Sequence, residues 1–170
     1  MKRSGEEEMN HSSHGGPYHV RPYRQEDREA CMALFESNVP KYFAPEELKD
    51  FVSDLDDLKW PYLVMEDENG KIVASGGYGA IGEDGTVAAL CWGMVRRDLH
   101  RCGLGRRLLV ERLKRIAAEP KFTRVTIETS QYSRGFFERF GFVAKRVCPD
   151  GFAPGLDLVE MELDLSRLKL

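Results

Sequence analysis

The chain has 170 residues, of which 42% are hydrophobic and 31% charged, with a formal net charge of -3. That length suits one domain with a substantial core rather than two, no apolar run approaches the ~20 residues of a membrane-spanning helix, and the mild acidity argues against general attraction to nucleic acid. Four cysteines, Cys31, Cys91, Cys102 and Cys148, lie far apart with no CxxC pair and no histidine at zinc-ligand spacing, so free thiols and no metal are expected.

The opening "MKRSGEEEMNHSSHGG" is polar and rich in small residues. Residues 1–17 are expected to form a disordered tail ahead of one domain over 18–170. The tail lacks the apolar segment of a secretory signal, which makes the cytoplasm the expected compartment. Its His11 and His14 have too few companions for a metal site. "YHVRPYRQED" then alternates as a first strand, and "QEDREACMALFESN" places Ala30, Leu34 and Phe35 at helical spacing behind acidic residues. Pro45 with Glu46 and Glu47 suits a first helical turn, and Leu48, Phe51 and Leu55 share one face of the helix that follows. "YLVMEDENGKIVASGGYGA" is two apolar segments around Asn69-Gly70, a pair that tolerates positive φ at both centres of a tight hairpin. "EDG" at 83–85 turns the chain into "TVAALCWGMV", giving three antiparallel strands.

Leu104, Leu108, Leu109, Leu113 and Ile116 mark an amphipathic helix that ends before Pro120. "TRVTIETS" reads as a strand, and "SRGFFERFGF" as a short helix stopped by Gly141. "FVAKRVCPDGFAPGLDLVEMELDL" reads as two strands joined by a Pro/Gly loop. The order βααβββαβαββ predicts an α/β (α+β) fold with a mixed, mainly antiparallel central sheet flanked by helices. An exposed edge at the C-terminal hairpin would admit a homodimer.

The stretch "LHRCGLGRRLL" (99–109) carries the chemistry. The first N–H groups of a helix lack internal partners, and with the aligned peptide dipoles they leave roughly half a positive charge there. Gly103 and Gly105 remove side chains that would hold a bulky anion away from that backbone, and Arg101 and Arg106 add charge at the rim. The junction suits a diphosphate. It is neither a P-loop, which requires Gly-Lys-Ser/Thr, nor a dinucleotide fingerprint, whose third glycine position holds Leu108.

"VRRDLHRCGLGRRLL", preceded by an apolar strand and followed after the next strand by "GFFERFGF", is similar to the acetyl-coenzyme A signature of the GNAT family of N-acetyltransferases. The resemblance runs from about His19 to Leu165. The family's phosphate loop is Gln/Arg-x-x-Gly-x-Gly/Ala; Gly103 and Gly105 fill the glycine places and His100 the Gln/Arg place. Phe136, Phe137, Glu138, Arg139, Gly141 and Phe142 match its second segment.

The resemblance implies the GNAT acyl-CoA N-acyltransferase fold, in which the strand ending at Val95 splays from the one near Thr126. It implies that the pantetheine arm of acetyl-CoA inserts there, bonded by main-chain groups of Met94 and Val95. His100, Arg101, Cys102, Gly103, Leu104, Gly105 and Arg106 would hold the diphosphate, with Arg107 or Arg134 toward the 3′-phosphate. Ser130, Ser133, Phe136 and Phe137 would complete the cofactor wall. The implied activity is transfer of an acetyl group to a primary amine of a small molecule or protein in a ternary complex.

Besides His100, which replaces the Gln/Arg of the phosphate loop, two positions depart from the family. Phe137 stands where a tyrosine often protonates the sulfur, and Ala89 where some members carry a glutamate base. Tyr132 and Ser130 are the substitute hydroxyls, and Glu128 at a strand end is the nearest acid in sequence. The departures leave open a module that binds acyl-CoA without turnover. The acceptor pocket is expected along Tyr42, Phe43, Trp92 and Phe152. "SDLDDL" (53–58) and Asp150 offer negative charge for a cationic amine.

Overall fold

The computed structural model of the protein describes residues 17–170; the tail's histidines and most of the predicted disordered segment lie outside them. Among the described residues the strands form one sheet in the order β1-β2-β3-β4-β5-β7-β6. They are β1 (His19–Pro22), β2 (Tyr62–Glu66), β3 (Ile72–Ile81), β4 (Val87–Val95), β5 (Arg124–Thr129), β6 (Val143–Ala153) and β7 (Leu156–Asp164). Only β4 and β5 pair in parallel.

Helices α1 (Arg28–Asn38) and α2 (Leu48–Asp56) cover one face, and α3 (Leu104–Ala117) and α4 (Gln131–Glu138) the other. The expected order of elements and the mixed, mainly antiparallel sheet are therefore present. Strand alternation sorts the two cores. Tyr62, Val64 and Met94 pack with Cys31, Leu34, Phe35, Phe51 and Leu55 under α1 and α2. On the opposite face Met65 meets Leu104 and Leu108, and Leu109, Leu113 and Ile116 join Val125, Phe137 and Met161.

Three local expectations are corrected. The first strand stops at Pro22, because Gln25–Asp27 winds into a 3-10 turn leading into α1. At the β2–β3 turn only Gly70 takes positive φ, at 75°. Asp67 Oδ1 accepts from the N–H groups of Asn69 and Lys71, both at 2.9 Å, which builds a longer turn than the two-residue form. Finally, β6 runs through Pro149–Gly151 as an irregular bulge instead of ending there. The Asp150 and Gly155 N–H groups are satisfied by the Asp157 and Asp150 carboxylates at 3.0 and 2.6 Å.

Candidate active site

The β4–β5 ladder contains three pairs, Val87↔Arg124, Ala88↔Val125 and Ala89↔Thr126. Beyond Ala89 the two strands splay and leave a cleft of about 1460 Å³ between them. That exceeds the ~300–1,000 Å³ of an ordinary small-molecule pocket and leaves room for two substrates. The splay coincides with a bulge: the β3–β4 register shifts between Ser75 and Gly77, and Trp92 sits at φ 46°. A positive φ is uncommon for a bulky residue and stores strain of order 1–3 kcal/mol.

Main-chain groups past the bulge divide by alternation. Arg96 N–H donates to the Val73 carbonyl at 2.8 Å, and bonded pairs recur every second residue in an antiparallel ladder. Met94, opposite Ser75, thus spends its main-chain groups on β3, while Val95 turns its own toward the cleft. The Val95 carbonyl already accepts from Asn38 Nδ2 and His100 Nε2, each at 2.9 Å. The expectation that Met94 and Val95 both offer bonds to a ligand is corrected: the Val95 N–H is the donor of this pair that faces the opening.

The cleft opens onto the start of α3. Gly103 caps the helix at φ 80°, a conformation only glycine adopts freely. A Cβ at Gly105 would sit at ordinary contact distance from the Phe136 ring, 3.7 Å, and Val95 Cγ2, 3.8 Å, so the missing side chain keeps anything larger than a methyl from crowding the helix start. Val95, His100, Arg101, Gly103, Gly105 and Arg106 all line the cleft, as do Ser133, Phe136 and Phe137. Phe137 is also buried in the core behind α4.

His100 presents a neutral ring, because burial pushes its pKa below the ordinary histidine value. Since a carbonyl only accepts, its Nε2 carries the proton donated to Val95, leaving Nδ1 to accept from Arg97 at 3.3 Å.

Four expected cofactor residues stand apart from the cleft. The Leu104 side chain is buried in the core, and Cys102 Sγ turns back to the His100 carbonyl at 3.6 Å. Arg107 donates to the Tyr18 carbonyl beside β1. Arg134 Nε holds Glu138 at 2.7 Å, one turn along α4.

On the α1–α2 side, Trp92 packs against Phe35, Phe43 and Phe51 with ring centroids 5.1–6.3 Å away. Phe43, Trp92, Tyr42 and Phe152 line the cleft. Tyr42 spans it, contacting the rings of His100 at 5.0 Å and Tyr132 at 6.2 Å, with the Lys41 ammonium near both tyrosine rings at 5.6 and 5.2 Å. The acidic run expected to draw an amine is largely occupied: Asp56 pairs with Arg28, Asp57 with Lys59, and Asp54 with the Trp92 indole.

The hydroxyl candidates differ in burial. Ser130 is 3% exposed, lines the cleft, and its Oγ has no hydrogen-bond partner. It occupies the N-cap position of α4 without making the side-chain cap bond. Tyr132 is 51% exposed, and Glu128 is exposed on β5 at the cleft wall.

Glu47 and Arg112 are among the cleft residues that escaped the sequence reading. Glu47, read only as a helix-start acid, lines the cleft and accepts from the Ala44 N–H at 2.7 Å. Burial raises its carboxyl above the ordinary range. Arg112, which in the sequence sits in a basic run with Arg106, Arg107, Lys114 and Arg115 that reads as a solvated helix face, is buried against Gly76 and Gly93.

An anion-ready helix start feeding a gap between two splayed parallel strands is the architecture of the acyl-CoA N-acyltransferases. The model of the acetyltransferase (GNAT) domain matches residues 23–165, and the chain belongs to the GNAT acetyltransferase family. Solved structures share the fold. A protein assigned to the GNAT family from Desulfovibrio desulfuricans aligns with a TM-score of 0.75 at 22% identity, covering 88% of this chain and 99% of that one. The Salmonella typhimurium yncA protein, solved with acetyl-CoA, gives 0.69 at 19% identity over 91% of this chain and 97% of its own. The Escherichia coli ribosomal-protein-S18-alanine N-acetyltransferase gives 0.71 at 19% over 91% and 100%. No curated protein matches the chain in sequence.

Proposed function

We propose that the protein transfers the acetyl group of acetyl-CoA to a primary amine, of a small molecule or a protein, by direct attack in a ternary complex. The observation that carries this reading is the β4–β5 splay opening onto the glycine-cleared start of α3. The helix N–H groups with Arg101 and Arg106 would hold the diphosphate, and the Val95 N–H would pair with the pantetheine arm as a neighbouring strand would. The unpartnered Ser130 Oγ supports a hydroxyl role at the same channel, either bonding the cofactor or protonating the departing thiolate. Tyr132, at the exposed mouth, is the second hydroxyl.

The amine enters from the Tyr42, Phe43, Trp92 and Phe152 side. Its nitrogen attacks the thioester carbonyl carbon; the C–N bond forms, the C–S bond breaks, and CoA leaves as the thiol. The proton lost by the amine passes to a base. Glu47, on the acceptor side with a carboxyl raised by burial, fits that role better than exposed Glu128. Positioning supplies much of the rest, since a thioester is already activated. The proposed setting is the cytoplasm; among the described residues no helix is long and apolar enough to cross a membrane.

Thiol release from acetyl-CoA across a panel of primary amines tests this, with Gly105→Glu as the control. Release with an amine that disappears in Gly105→Glu is the expected result. Coenzyme A binding with no release for any amine would overturn it in favour of a non-catalytic acyl-CoA-binding module, the reading that Phe137 and Ala89 leave standing.

A further inference from the structure

Arg112 has no part in the chemistry above, yet its placement is costly. It lies in α3, is 3% exposed and lines the cleft. None of the ion pairs among the described residues gives it a carboxylate partner. Its contacts to carbonyls are long, 3.4 Å from Nε to Leu108 and 3.5 Å from Nη1 to Gly77. Burial pushes its pKa down to about 10, which still leaves it charged at neutral pH. Burying such an ion without a counter-ion costs several kcal/mol.

The backbone is cleared to admit this side chain. A Cβ at Gly93 would stand 2.9 Å from both Nη1 and Nη2, and one at Gly76 would stand 3.0 Å from Nη1. The guanidinium therefore occupies a niche made by two glycines on adjacent strands, at the β4 bulge.

The position of the niche identifies the anion that suits it. Arg112 follows Gly105 by seven residues, which on a helix is the same face and about 10 Å further along the axis. It thus lies inward of the diphosphate junction, on the α3 face of the channel. Across β4 lie Trp92 and Glu47, an aromatic and an acidic group suited to a cationic amine. A buried cation on that side, with no carboxylate partner among the described residues, complements a negative charge carried by the acyl group.

We propose that the Arg112 guanidinium receives a carboxylate at the far end of the acyl chain, so that the site prefers CoA thioesters of short dicarboxylic acids to those of neutral acids. This rests on the CoA-thioester reading of the cleft and differs from the proposed acetyl transfer only in the acyl group carried, a dicarboxylic one in place of acetyl. Succinyl-CoA and butyryl-CoA make a matched pair, with four-carbon chains that differ in the terminal carboxylate.

Titration calorimetry of the full chain with coenzyme A, butyryl-CoA and succinyl-CoA is the test. The expected result is succinyl-CoA bound at least tenfold more tightly than butyryl-CoA, with the gap closed in Arg112→Met and partly kept in Arg112→Lys. Equal affinities in the wild type, or a gap that survives in Arg112→Met, would overturn the assignment. Should Arg112→Met fail to fold, the wild-type pair decides alone. Coenzyme A failing to bind at all would instead overturn the reading beneath it.

Discussion

The indole N–H of Trp92 donates to Oδ2 of Asp54 at 2.7 Å, tying the bulge of β4 to α2. The bond holds a bulky residue at φ 46° with its ring against three phenylalanines. The shape of the proposed acceptor wall thus depends on an aspartate outside the cleft lining. Asp54→Ala would leave the indole N–H unpaired in a half-buried place, a loss of about 1–3 kcal/mol. For a chain of this size that lowers Tm by roughly 2–4 °C per kcal/mol. KM for the amine is expected to rise more than the Kd for coenzyme A. Melting curves with steady-state kinetics check both, and equal change in the two constants would separate Asp54 from the acceptor side.

Gly105→Ala and Gly105→Glu together distinguish a glycine needed for ligand from one needed for folding. The added methyl would meet the Phe136 ring at 3.7 Å and Val95 Cγ2 at 3.8 Å, ordinary contact distances. Alanine also favours the helix by up to about 1 kcal/mol over glycine. Stability is therefore expected to hold or rise with coenzyme A affinity little changed, since the family's loop takes glycine or alanine at this place, whereas Gly105→Glu, which sets a carboxylate over the helix N–H groups, is expected to lower that affinity at least tenfold. A thermal melt paired with calorimetry reads the two outcomes, and loss of stability alone would remove the ligand role.

The order of elements was legible because each carries its own period: leucines spaced for α3, alternation in β7, glycine closing α4. The glycine-marked start of α3 was legible for the same reason, since its glycines and arginines are local in the chain. What depends on distant partners was not. The positive φ of Trp92 has no mark in the sequence and arises where β3 supplies the register shift. Arg112 looks like part of a solvated basic run until Gly76 and Gly93 are brought against it. Glu47 does start a helical turn, as its position suggests, and only the packing of α2 near β4 puts the same carboxyl in the cleft. Pro149–Gly151 misled in the opposite direction, because carboxylates seven and five residues apart supply the partners that keep the strand going.

The Asp27 carboxylate predicts acid sensitivity at the entry to α1. It accepts from Arg21 Nη1 at 2.7 Å and Nη2 at 2.9 Å, and from the Arg24 N–H at 2.8 Å. Hydrogen bonds from Arg21 foremost hold its carboxyl below the usual range. A depressed folded-state pKa means the unfolded chain binds the proton first. The contribution is then complete above the unfolded value of about 4 and is lost as pH falls through the lower folded value. Asp27→Asn is expected to cost about 1.5–3 kcal/mol at pH 7 and to flatten the decline in stability below pH 4. Denaturant melts from pH 2 to 7 check this, and parallel curves for both proteins would place the acid sensitivity elsewhere.

Glu47 titrates in the opposite direction, and that separates its catalytic role from a structural one. Burial raises its folded-state pKa despite the Ala44 N–H that favours the charged form. Its contribution to stability is thus present below the unfolded value of about 4.3 and is lost as pH rises through the folded one. Ionised Glu47 costs stability at neutral pH. Glu47→Gln keeps an oxygen for the Ala44 N–H while removing that cost, so the variant is expected to be at least as stable as the wild type at pH 7. As a base it must be ionised to act, so the acidic limb of kcat/KM should fall above the ordinary carboxylate range. In Glu47→Gln that limb should vanish, with kcat/KM lowered on the order of 10². A variant that folds well yet works poorly is the signature of a group kept for chemistry. If the limb persists in Glu47→Gln, the base lies elsewhere, and Glu128 on the facing strand is the next carboxylate to replace.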